Sequence, residues 1–90
     1  MNLYPAMTAL QMQKLAMKHW EEWRPKATAQ MKRANTFRTR ARKAAEKAKK
    51  EMREMIQSGQ PAHEAEEIVL KRYILLKPEK EVIEAMENDD

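Results

Sequence analysis

Between Ala27 and Met55 the chain places one residue of a stripe at alternating steps of four and three: Ala27, Met31, Ala34, Arg38, Ala41, Ala45, Ala48, Met52 and Met55. That spacing keeps all nine on one side of an α-helix. A strand alternates its faces every second residue and has no use for it. Five of the nine places are Ala, so the stripe lets a second helix come close while burying little area of its own. A Leu/Ile zipper is built differently. The opposite side carries Lys32, Arg33, Arg40, Lys43, Lys47, Lys50 and Arg53. The segment therefore reads as a two-faced helix, one face for packing and one charged.

The rest of the chain agrees with an all-α class. There is one glycine, Gly59, and Ala, Lys, Glu, Arg, Met, Gln and Leu dominate, the residues that favour helix most. The 90 residues are expected to form a single domain, 1–90: a small helical bundle or helical hairpin with three to four helices. Thr8 suits an N-cap, with Leu3, Tyr4 and Met7 as a hydrophobic staple. Pro25 ends the first helix, because the residue before a proline is pushed out of the helical region; its range is 8–23. Pro25 also suits the start of the next helix. Nothing stops that helix before Ser58-Gly59-Gln60-Pro61, so a long basic helix over 26–57 follows, with Asn35-Thr36 as its weak point. An apolar helix over 61–77 comes next, although 68–76 has the composition of a strand as well. A short acidic helix covers 78–87.

Charge divides along the chain. Residues 14–56 hold fourteen Lys/Arg against five acids, and residues 57–90 hold four against nine. The net charge of +4 thus conceals a basic body and an acidic tail. Between Glu22 and Glu46 there are eight cations and no acid: Arg24, Lys26, Lys32, Arg33, Arg38, Arg40, Arg42 and Lys43. An uncompensated field of that length points to a polyanion, most often nucleic acid, DNA or RNA.

The residues expected to meet phosphates are Lys32, Arg33, Arg38, Arg40, Arg42, Lys43, Lys47 and Lys50, since Arg forks and Lys ammonium groups are the usual phosphate donors. They point several ways around a helix, so a subset faces any one ligand. Phe37 is the candidate for stacking on an open base. Arg38 lies in the packing stripe, where an unpaired charge is costly; an acid of the tail is its expected partner. Contact through about five of these charges gives a slope of log affinity on log salt of about −4 to −5.

Trp20, Trp23, Met31, Ala34, Ala41, Ala45, Ala48 and Met52 form the candidate surface for self-association or a protein partner. The plainer reading of the two Trp is that they anchor a core short of bulky residues. The tail is a solvated end, or it folds back on the basic segment or meets a neighbouring copy.

His19-x-x-Glu22 and His63-x-x-Glu66 have metal-ligand spacing, but each needs two further inward carboxylates, so no metal or other cofactor is expected. There is no Cys, one Ser and no glycine-rich phosphate loop, which does not point to an enzyme or a small-molecule substrate. No helix-turn-helix, zinc-finger or RNP signature is legible. No apolar run approaches the ~20 residues of a membrane span, and the expected setting is intracellular and soluble. The function expected is non-enzymatic nucleic-acid binding, structural or packaging, in a multi-copy nucleoprotein assembly. The alternative is a small adaptor or inhibitor docking on a larger nucleic-acid-handling machine.

Overall fold

In the computed structural model, which describes residues 4–87, every regular element is helical. Leu3, Asp89 and Asp90 lie outside the described residues. The helices are α1 (Ala9–Trp23), α2 (Pro25–Arg33), α3 (Phe37–Gln57), α4 (Ala62–Val69), which runs on into a π-helical turn (Leu70–Ile74), and α5 (Lys80–Glu87). Among the described residues five α-helices thus stand where three to four are expected, because the long basic helix divides; the 61–77 helix also stops early.

Thr8 caps α1 reciprocally. Its hydroxyl accepts the Gln11 N–H at 3.0 Å, and the Gln11 side chain accepts the Thr8 N–H at 2.8 Å. Pro25 then sits at the first position of α2. The break after α2 is a left-handed stop at Asn35, φ 58°. Thr36 N–H donates to the Met31 carbonyl at 2.8 Å and Asn35 N–H to that of Lys32 at 3.1 Å, the pair of bonds that closes a Schellman motif. Gly59, φ 105°, repeats the motif after α3: Gln60 N–H donates to Met55 and Gly59 N–H to Ile56, both at 3.0 Å. Asn is the residue besides Gly that most readily takes this conformation, so the two stops use the two residues suited to it.

After the break the stripe keeps its expected places at Ala41, Ala45, Ala48 and Met52 and differs at the first one. In α3 the buried set is Phe37, Ala41, Ala45, Ala48 and Met52. Phe37 therefore takes the inward place expected for Arg38, and Arg38 is exposed. No buried charge arises, and among the described residues Arg38 pairs with no acid of the tail.

The small residues of α3 receive α1, whose buried face is Met12, Ala16 and Trp20. Ala41, Ala45, Ala48 and Met52 are thus spent inside the chain rather than offered to a second copy. Ala62, Ala65 and Val69 of α4 and Ile74 of the π-helical turn complete the same core against α3. The molecule is 46 × 34 × 18 Å, and 18 Å is about two helix diameters less their interpenetration.

Residues 75–79 leave the helix because their polar groups are claimed by α1. The Trp20 indole N–H donates to the Ile74 carbonyl at 2.8 Å. His19 Nε2 lies 2.9 Å from the Leu76 carbonyl oxygen, which only accepts, so this nitrogen carries the proton. Arg24 donates to the Lys77 carbonyl at 2.6 Å, and Glu79 N–H to the Trp23 carbonyl at 3.0 Å. Pro78 keeps Lys77 extended. At the other end, residues 4–8 strap α4: the buried Glu66 carboxylate accepts the Tyr4 hydroxyl at 3.0 Å and the Met7 N–H at 2.9 Å.

Candidate functional site

At about 100° per residue, the cations of α3 divide into two flanks beside its buried face. Arg40, Lys43 and Lys47 follow one side at i, i+3 and i+7, with Lys43 close to the outer ridge, and Arg38 and Arg42 lie on the other. Lys50 sits on the outer ridge, two turns beyond Lys43. The expected eight phosphate residues are therefore not brought together.

The Arg40 flank faces a groove of about 830 Å³ between α2, α3 and the segment Arg72–Leu76. Arg24, Arg40, Lys43, Lys47 and Arg72 line it, and no acid among the described residues does. Half-buried Ala27, Met31, Ala44 and Leu76 and exposed Ala34 add apolar surface, with Trp20 and Tyr73 as aromatic walls. Thr36 and Thr39 add hydroxyls at the α3 start. Of the residues named from sequence, Arg40, Lys43, Lys47, Met31, Ala34 and Trp20 converge here. Lys32, Arg33, Arg38, Arg42, Lys50 and Trp23 do not line it. Arg24 and Arg72 are additions that the stripe pattern alone does not reveal, Arg72 because it comes from a distant helix.

Several charges of the acid-free stretch find partners across the fold. Lys26 pairs with Glu81, Lys32 with Glu21 at 3.4 Å, and Arg42 with Glu46 at 3.8 Å. All three pairs are exposed, a setting in which such contacts contribute little. Of the groove cations, Arg72 pairs with Glu51 and Arg24 is held by the Lys77 carbonyl. Arg40, Lys43 and Lys47 have no ion pair among the described residues.

Phe37 is not available for stacking on a base. It is 7% exposed, with its ring 6.4 Å from that of Trp20 and the Lys32 ammonium 5.5 Å above it. The signal was its spacing: Phe37, Ala41 and Ala45 are four apart. Trp20, 5% exposed, is a core anchor, and Trp23 is half-buried.

The acidic tail does fold back, but onto α2 rather than onto Arg38–Lys43. Glu79 accepts the N–H groups of Lys26 and Ala27, each at 2.9 Å, one on each carboxylate oxygen. These are orphan donors of the first turn of α2. The bond from Ala27 above all holds the Glu79 carboxyl below its ordinary value; burial opposes it, and the bond from Lys26 and the charges of Arg24 and Lys26 add to the lowering.

Neither His motif assembles ligands. The Glu66 carboxylate is engaged by Tyr4 and Met7, His19 by Leu76, and no group of three or more His, Cys, Asp or Glu able to hold a metal occurs among the described residues. Among them no helix is long and apolar enough to cross a membrane. No family model, curated protein or solved structure matches this chain.

Proposed function

We propose that the protein is a non-enzymatic nucleic-acid-binding protein that holds phosphates along the Arg40–Lys43–Lys47 flank of α3. One observation carries the reading: these three cations, without an ion pair among the described residues, share a concavity with Arg24 and Arg72, and no acid among the described residues lines it. Phosphate oxygens are the ligand class that such a set attracts, through Arg forks and Lys ammonium groups together. Ala41, Ala45 and Ala48 are buried in the chain's own core, so this part of the stripe lends no support to a multi-copy packaging role.

Three free cations give a smaller salt dependence than the whole basic segment would. The slope of log affinity on log salt is expected at about −2 to −3. Fluorescence anisotropy of labelled oligonucleotides over a salt series measures it. The triple change Arg40→Gln, Lys43→Gln, Lys47→Gln removes the binding, while Arg38→Gln with Arg42→Gln leaves most of it. Equal loss from both variants, or no binding to any nucleic acid by the unaltered protein, sinks the proposal. The second outcome favours the adaptor reading, in which the apolar part of the groove meets a protein.

A further inference from the structure

We infer that the groove takes a single strand rather than a duplex, with phosphates on the Arg40–Lys43–Lys47 flank and one unstacked base against Tyr73; this rests on the nucleic-acid reading above. A helix reads a duplex by projecting into the major groove. The free cations of α3 are exposed along the edge of a concave groove that α2 and the segment after Leu70 also line. A ligand that follows them lies across that concavity, which suits a flexible strand better than a stiff duplex.

The apolar part of the site points the same way. Met31 and Leu76 are half-buried in the groove that these cations line. A duplex keeps its base faces stacked on one another, so its outer phosphates would meet this surface with nothing to bury. A single strand has free base faces, and burying one against apolar and aromatic side chains is favourable.

Tyr73 is the aromatic suited to that role. It is half-buried at the groove wall, and its hydroxyl donates to the Glu51 carboxylate, which also pairs with Arg72. Glu51 thus fixes the ring and one groove cation together. Trp20, the other ring in the groove, is committed to the core and to the Ile74 carbonyl.

The groove volume, about 830 Å³, lies within the range of roughly 300–1,000 Å³ found for sites that enclose small ligands. It is room for a nucleotide or two of a strand that continues along the surface in both directions.

The test compares a labelled oligothymidylate of twelve residues with a duplex of twelve base pairs, on the full chain, by anisotropy at several salt concentrations. The single strand is expected to bind at least tenfold more tightly, with a slope of about −2. Tyr73→Leu is expected to weaken the single strand about tenfold and to leave duplex binding unchanged, with Tyr73→Phe near the unaltered protein. Circular dichroism confirms that each variant is folded. The comparison on the unaltered protein decides the matter even where a variant unfolds. A duplex that binds as tightly as the single strand overturns this inference and leaves the nucleic-acid reading standing. Absence of binding to either overturns both.

Discussion

Glu79 Oε1 accepts the backbone N–H of Lys26 at 2.9 Å, so a carboxylate 53 positions along the chain begins α2. Arg24, at the N-cap position, supplies no side-chain cap of its own. Replacement by Gln, Glu79→Gln, leaves one acceptor and removes the charge. The expected result is a lower Tm and faster hydrogen exchange at the Lys26 and Ala27 amides, with exchange in α4 unchanged relative to global unfolding.

The same contact sets a pH dependence with a definite sign. The folded Glu79 carboxyl titrates below its ordinary 4.5, so its contribution is fully present above that value and is lost as pH falls through the folded pKa. The Tm gap between the unaltered protein and Glu79→Gln should be constant from neutrality down to about pH 5 and close below about pH 4. The alkaline side runs the other way. Lys26 is raised by its hydrogen bond to Glu81 and then by that carboxylate's charge, with Glu79 assisting and burial opposing. Tyr4 is raised by its hydrogen bond to Glu66, then by burial and the Glu66 charge. Both contributions hold below the ordinary values, 10.5 and 10.0, and fade as pH rises through the folded ones. Because Lys26 and Glu81 are largely exposed, added salt should shrink that effect.

Ala48 and Ala41 are fully buried on the face of α3 that packs in the core. Enlarging either one, as in Ala48→Leu, forces the helices apart and should cost about 1–3 kcal/mol. Urea unfolding measures it. A stripe left open for another copy would instead tolerate Leu and gain mass by light scattering, and that outcome would contradict the packing described.

Asn35 sits at positive φ. Asn35→Gly should hold or raise stability, and Asn35→Ala should lower it by about 1 kcal/mol, since Ala bears the left-handed penalty without a compensating bond. Thermal midpoints of the two variants, taken under one buffer, give the sign directly.

Trp20→Phe removes the indole donor from the Ile74 carbonyl and leaves a small void. Loss of a partner by a buried acceptor costs about 1–3 kcal/mol, and Trp23→Phe, at a half-buried site, should cost less. The difference in urea midpoint checks this.

The helix boundaries that rest on neighbouring residues were legible in the sequence. Thr8, Pro25 and Gly59 each act on the turn beside them. Asn35-Thr36 was legible as a weak point, but its outcome was not: after the left-handed turn α3 begins at Phe37, four before Ala41, and Phe37 rather than Arg38 is buried. That choice depends on which residues the core accepts after the break. The Ala stripe told that a helix would approach α3 and could not tell whose. The site was half legible. Arg40, Lys43 and Lys47 share a flank by spacing alone, whereas Arg72, Tyr73 and Glu79 reach α2 and α3 only through tertiary contacts.

Helix α2 has nine residues and one buried side chain, Thr28, and a helix that short is marginal by itself in water. It stands because it is fastened at both ends, by Glu79 at its start and by the Asn35 turn at its finish. It is also a wall of the groove. The start of that wall is therefore held by a residue of the C-terminal segment, which makes this segment a structural part of the opening rather than an appendage beyond it.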